Sequence, residues 1–404
     1  MNVKKMSQAK LGMSRPLKSL AATLVLASAA GTASADILIG ETDTTKLSMF
    51  GIIDIGMLYQ DNASTNGEEK TSIETSGLRQ TVFGFKGARE LDGDTSAFFN
   101  LEAHFDLNDG RLHATGDAAT ETGENGSSIL FRRQANLGLT GDWGTVIAGR
   151  QYGPALLAHL GTEPRIFKEQ FSNLYAWAFS QLFSTVNSSA SGDGRNTNND
   201  VGIFFNNSIQ YRNNVGGVDF GILYSFGGQE GSLNEGDIYA LGASYVTGAV
   251  TLSGSYQNMT DDQTGADLVE STGLGIALNL GDVALKLNYL GTENNNASGT
   301  QNLDLEGLGF GIDYKWSTKN TATVAYYINE DKAAAPTFGS ETKSLVLSNE
   351  YTMGDSTTLY AQMAYVDADA NMTTVSQFAT SIVASPAPTG EKTTLLNVGV
   401  NFAF

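Results

Sequence analysis

The 404-residue sequence contains no cysteine. That excludes disulfides as a source of stability and thiolates as nucleophiles. Histidine occurs only at His104, His113 and His159. No G-x-S-x-G, no H-E-x-x-H and no metal-ligand spacing appears, so an enzyme with a Ser-His-Asp or zinc centre is disfavoured and no cofactor or metal is expected. Beyond the N-terminal region no apolar run approaches the ~18 residues of a spanning helix. Basic residues are also scarce, 24 Lys and Arg against 43 Asp and Glu for a net charge of −19. Nucleic acid is thereby excluded as a partner, because its phosphates would be repelled. Proline is rare, at six, whereas the chain holds 46 Gly and 38 aromatics (3 Trp, 15 Tyr, 20 Phe). That balance points to strands and turns.

The N-terminus has the layout of an export signal. Lys4, Lys5, Lys10, Arg15 and Lys18 precede an apolar stretch from Leu20 to Ala30 and small residues at Ala33-Ser34-Ala35. A charged region, an apolar region too short to span a bilayer and an A-x-A site predict cleavage after Ala35. The mature chain would then be 36–404, with 19 basic residues against 43 acidic and a net charge of −24. An exported chain with no spanning helix is either soluble or a β-barrel, the other structure that crosses lipid with every backbone group paired.

Apolar residues recur with period two. Leu396, Val398, Val400, Phe402 and Phe404 alternate with polar or small neighbours. So do Val218, Phe220, Ile222, Tyr224 and Phe226, then Val283, Leu285, Leu287 and Tyr289, and also Phe99, Leu101, Ala103 and Phe105. This is the pattern of strands with one apolar face. Tight turns at 91–94, 141–142, 215–217, 281–282, 317–320 and 354–355 alternate with longer polar segments at 60–74, 108–127, 228–236, 261–268, 294–302, 332–341 and 369–390. Short turns on one side and long loops on the other describe a transmembrane barrel. Dividing the mature chain among roughly sixteen strands leaves about 23 residues for each strand and its connection, a comfortable fit. Strands are expected near 45–59, 77–90, 94–107, 128–140, 143–152, 200–214, 217–227, 237–248, 249–260, 269–281, 282–293, 303–316, 320–331, 341–352, 356–368 and 391–404. The fold class is therefore all-β, a transmembrane antiparallel barrel.

One connection is outsized. Residues 153–199 span about 47 positions, a length that is usually functional. They carry Phe167, Phe171, Leu174, Tyr175, Trp177, Phe179, Leu182 and Phe183. These are packing residues, so the loop is expected to fold back into the barrel, with a short amphipathic helix within 166–183.

Several segments resemble a known family. Met49-Phe50-Gly51-Ile52-Ile53-Asp54-Ile55-Gly56 and Phe83-Gly84-Phe85-Lys86-Gly87 are similar to the first two strands of the trimeric general diffusion porins of Gram-negative outer membranes. Arg133–Leu139, Gly144–Tyr152 and Asn207–Asn213 resemble their fourth, fifth and sixth strands, and Phe404 matches their terminal assembly residue. The resemblance covers the mature chain in order, although each motif is short. It implies a homotrimer of sixteen-stranded barrels in outer-membrane lipid and lipopolysaccharide, passing small hydrophilic solutes and ions. It also implies an inward third loop whose acids face arginines on the wall.

The resemblance places Arg133 and Arg212 on the basic wall, with Arg150, Lys86 and Arg132 as further candidates. Alternation against Leu137 and Leu139 instead turns Arg132 inward; Arg133 is preferred. On the loop the acidic candidates are Glu163, which precedes Pro164, then Glu169, Asp193 and Asp200, although most loop carboxylates are merely solvated. The family's arginine two residues before Gly-Phe-Lys-Gly is replaced by Val82, and Arg79 has the opposite parity. A weakened basic half and the acidic balance together predict a preference for cations. His104 is expected to line the pore. Asp261-Asp262 and Asp367–Asp369 read as solvated loop charge, since neither has EF-hand spacing. The competing readings are a substrate-specific channel, and an exported β-sandwich lectin or adhesin.

Overall fold

The computed structural model describes residues 36–63, 67–113, 129–174, 177, 196, 198–200, 202–295, 299–333, 341–368 and 392–404. The expected signal segment 1–35 lies outside them. The elements run β1 (Ile37–Glu41), β2 (Thr45–Gln60), β3 (Lys70–Thr75), β4 (Val82–Glu90), β5 (Ser96–His104), β6 (Gln134–Gly141), β7 (Gly144–Tyr152), α1 (Pro154–His159), β8 (Asn199–Asp200), β9 (Phe204–Val215) and β10 (Val218–Ser225). They continue with β11 (Ile238–Thr247), β12 (Val250–Thr260), β13 (Asp267–Leu280), β14 (Val283–Asn295), β15 (Gln301–Lys315), β16 (Asn320–Asp331), β17 (Glu341–Met353), β18 (Thr357–Ala368) and β19 (Lys392–Ala403).

Sixteen of these strands close a ring. β2 pairs with β4, the antiparallel order passes through β5, β6, β7 and β9, and each strand from β10 to β19 pairs with the next. The ring shuts where β19 pairs back onto β2, with Ala403 opposite Ile52. All sixteen expected strands are present, Asn320–Asp331 with the expected bounds. Closure leaves no free edge in the wall, which lipid would not tolerate.

Three short strands were not expected, because each completes another strand's ladder. β19 ends where Phe404 and Gly51 exchange two backbone hydrogen bonds of 2.9 and 2.8 Å. β1 then runs on in the same direction along the same edge of β2, starting with Ile37 opposite Met49. On the other edge of β2, β3 covers Ile55–Gln60 and β4 covers Thr45–Ile52. Residues 76–81 between them leave the wall. β8 adds a two-residue pairing to β9.

The burial pattern is the reverse of a soluble fold. Leu274, Leu137, Val398 and Ile222 are 66%, 63%, 58% and 50% exposed, whereas Gln257, Asn288, Asn397 and Asn401 on the opposite parity are buried. Apolar side chains outside and polar ones inside are what a wall standing in lipid requires. A β-sandwich would bury the first set. Among the described residues no helix is long and apolar enough to cross a membrane. Among the described residues a short helix, α1, occupies 154–159. Within 166–183 Leu174 and Trp177 are helical, the Trp177 N–H donating to the Asn173 carbonyl at 3.0 Å, and the rest of 175–183 falls outside the described residues.

Candidate functional site

The site begins with an aspartate in an otherwise apolar stretch of β2, Met49–Leu58. Asp54 is buried on the inner parity of β2. Its Oδ1 accepts the Gly77 N–H at 2.8 Å and the Tyr360 hydroxyl at 2.8 Å. Its Oδ2 accepts the N–H groups of Leu78 and Arg79, both at 3.1 Å, and Asn401 Nδ2 at 2.9 Å. One carboxylate thus satisfies three successive backbone donors that the ladder would otherwise hold. This is why residues 76–81 leave the wall. Gln362 Nε2 secures the same bend through the Gly77 carbonyl at 2.9 Å.

The segment after β7 rests against many strands. α1 packs on β10 to β13. His159 bonds Ser253 and Ser255, each at 2.8 Å, and burial pulls its imidazole down to about 4. A Cβ at Gly242 would strike the Pro154 carbonyl, at Gly273 the His159 ring, at Gly275 Thr162, and at Gly311 Pro164. All four glycines share the inner parity, so they form a bare track on which the segment lies. Past Pro164 the chain reaches the far strands. The Pro164 carbonyl accepts Lys286 Nζ at 3.3 Å, Arg165 Nη2 donates to Gln362 at 2.6 Å, Lys168 pairs with Glu350, and Asn397 donates to Gln170.

Glu163 organises this course. Its Oε2 accepts the N–H groups of Arg165 and Phe167, each at 2.7 Å, and its Oε1 accepts the Tyr327 hydroxyl at 2.7 Å. Between those two donors Ile166 is held at φ +61°. A β-branched residue rarely adopts that conformation, which costs on the order of 1–2 kcal/mol. Glu163 is fully buried. It is a hub of the segment, and not an acid facing arginines across a gap.

The remaining sequence candidates separate into distinct places. Arg133 pairs with Glu102 and stands over the rings of Tyr152 and Phe204, at 5.3 and 5.4 Å. Arg132 donates to both oxygens of Asp200, at 3.1 and 2.9 Å, and Arg150 pairs with the same carboxylate. Burial opposes the charge on Asp200, but the two guanidiniums outweigh it and hold its carboxyl below the ordinary range. Asp200 is therefore clamped within the basic group rather than set opposite it. Residues 132 and 133 precede β6, so strand alternation does not govern them; the Arg132 side chain is buried and that of Arg133 partly buried. Arg212 lies on the other side of Tyr152, in a neighbouring cavity with Gln210 and Gln151, 3.9 Å from Asp219. Lys86 stands about 13 Å down β4 from Val82, bound to Asp36 at 2.7 Å. Asp193 lies outside the described residues.

A cavity opens among these elements, lined by Leu78, Arg79, Gln80, Arg133, Tyr152, Ile166, Lys168, Glu169 and Phe204. Glu169 accepts Gln80 Nε2 at 2.6 Å, and its N–H donates to the Leu78 carbonyl at 3.0 Å. Three bases and one acid line the opening. The expectation that Val82 weakens the basic side is corrected here. Val82 packs with Ile52 and Ala403, and Arg79 supplies the charge from the bend. Parity misjudged Arg79 because 76–81 is not strand. Sequence reasoning missed Asp54 as well, although an aspartate within Phe50–Gly56 was a visible signal.

A closed sixteen-stranded barrel, apolar outside and charged within, defines an outer-membrane β-barrel of the channel-forming class. The chain belongs to the Gram-negative porin family, whose model matches residues 21–371. It is 29% identical over 210 residues to outer membrane porin protein 32 of Delftia acidovorans, a match covering 52% of this chain and 49% of that one. The match thus spans about half the length of that relative. Among solved structures it resembles an anion-selective porin from Comamonas acidovorans, with TM-score 0.71, 22% identity, and coverage of 89% of this chain and 100% of that one. It also resembles OmpF of Salmonella typhi in complex with daunomycin, with TM-score 0.57, 18% identity, and coverage of 91% and 100%.

Proposed function

We propose that the protein is a passive channel for small hydrophilic solutes and ions, narrowed by the segment 153–199 and preferring anions at its narrowest part. The observation that carries this reading is the cavity lined by Arg79, Arg133 and Lys168 against Glu169. Fixed positive charge beside a narrow aqueous path raises the local concentration of anions and repels cations. The cation preference expected from the net charge does not fit this lining. Net charge counts acids at strand ends and in loops, such as the Glu270, Glu293 and Asp304 series, which stand in register across β13 to β15. At physiological salt such charges are screened over about 8 Å, so the narrow part decides. The named selectivity of the Comamonas porin agrees in direction.

The same reading holds that the chain is exported with cleavage after Ala35, assembles as a homotrimer and sits among lipid and lipopolysaccharide, with no catalysis. An apolar groove on the outer face, at Leu47, Gly87, Ala97, Phe99 and Leu137, supports contact with another copy. Phe404, stacked over Gly51 on the outer parity, is assigned to assembly and not conduction. Reversal potentials across a KCl gradient in a planar bilayer test the proposal. An anion-sign potential that weakens in Arg133→Ala and Arg79→Ala is expected, with conductance arriving in three steps per insertion. A cation-sign potential in the unaltered protein would overturn the selectivity.

A further inference from the structure

The hairpin that follows β5 places two histidines side by side with no role in the reading above. Phe105 and Leu112 form a bridge, the His113 N–H donates to the His104 carbonyl at 3.0 Å, and the turn is closed by Gly110 N–H on Asp106 O at 2.8 Å. His104 and His113 are therefore neighbours across the hairpin, their rings stacked at 3.9 Å and 21°. Asp106 Oδ1 lies 2.7 Å from His113 Nδ1. His104 is 2% exposed, the His113 side chain 9%, and the Nε2 atom of each is buried without a hydrogen-bond partner.

Two unpartnered buried imidazole nitrogens are costly, since each has given up its hydrogen bond to water without a replacement. A ligand that accepts both lone pairs removes that cost. When Asp106 takes the proton on Nδ1 of His113, the tautomer is fixed and Nε2 is left as a bare lone pair. This is the carboxylate–histidine–metal arrangement that orients and strengthens a ligating imidazole. One donor atom each from His104, Asp106 and His113 lies within 4.8 Å of the others. Rotation of the two rings would bring such atoms to the bond lengths of about 2.0–2.1 Å that Zn²⁺ takes from imidazole.

Charge at the site does not forbid a cation. Arg132 reaches the His113 carbonyl at 3.4 Å and shares Asp200 with Arg150, an excess of one positive charge that the Asp106 carboxylate offsets, and Arg133 is bound by Glu102. We infer that His104 and His113, oriented by Asp106, form a binding site for a divalent transition metal of the zinc class. Imidazole with carboxylate selects zinc, copper or nickel over magnesium and calcium. The bound ion would add two positive charges beside Arg132, on the basic side of the barrel.

Isothermal titration of ZnCl₂ into the folded, detergent-solubilised protein tests the site, with MgCl₂ as control and circular dichroism to verify each variant's β content. Saturable binding of one Zn²⁺ per barrel is expected, absent with Mg²⁺ and weakened at least tenfold in His113→Ala and in His104→Gln. Asp106→Asn should weaken it about tenfold through the lost orientation. No saturable Zn²⁺ binding, or binding unchanged in folded His113→Ala and His104→Gln, would overturn the assignment. Neither result bears on conduction, which the KCl reversal potential reads separately.

Discussion

The Tyr360 hydroxyl, on β18, donates a 2.8 Å hydrogen bond to the Asp54 carboxylate on β2, and the same carboxylate caps the bend that carries Arg79. A wall aspartate thus sets the position of a cavity arginine without lining the cavity itself. Replacing Asp54 with Ala leaves the Gly77, Leu78 and Arg79 donors without an acceptor, a loss of about 3 kcal/mol or more. Denaturant unfolding in detergent should show that loss. Tyr360→Phe removes one donor and should cost only about 1 kcal/mol. In bilayers Asp54→Ala should also reduce anion preference, because Arg79 is no longer held.

Gly242 sets the clearance of the track. A methyl group there meets the Pro154 carbonyl, backbone that cannot swing aside as a side chain would. Gly242→Ala should therefore displace the segment and change single-channel conductance while the barrel still forms. A Cβ at Gly254 would meet nothing nearer than 3.8 Å, an ordinary contact, so Gly254→Ala serves as the control and should leave conductance unchanged.

Leu274 stands in the middle of β13 and is 66% exposed. If lipid covers it, Leu274→Arg costs about 2–4 kcal/mol at the bilayer midplane. Equilibrium folding into phosphatidylcholine vesicles should register that loss. A change below 0.5 kcal/mol, as is usual for a surface site in water, would count against lipid contact at this position.

His159 makes the segment sensitive to acid. Its folded value, near 4, is lowered by burial from an ordinary 6.5. The unfolded chain binds the proton first, so the stabilisation is complete above pH 6.5 and is lost as the pH falls toward 4. The full loss is on the order of 3 kcal/mol. Unfolding midpoints between pH 7 and pH 4 should fall in the native protein and fall less in His159→Asn.

What could be read from the chain alone was what depends on nearest neighbours. The period-two alternation and the turn residues at 281–282 and 354–355 determined sixteen strands, their order and the apolar outer face, since each follows from backbone geometry within a few residues. Family resemblance added Arg133 as a wall residue. Tertiary structure decided the rest. Parity could not place Arg79, Arg132 or Arg133, because a side chain's direction alternates only while the backbone stays in a ladder, and Asp54 and the start of β6 interrupt it. Glu163 and Asp200 looked like loop acids. Their partners, Tyr327 and the Arg132–Arg150 pair, are distant in sequence and meet them only when the barrel closes. The sign of the charge at the cavity likewise could not be taken from a net of −19. A sum over the chain carries no positions, and the field at a narrow passage depends on the few charges within a screening length.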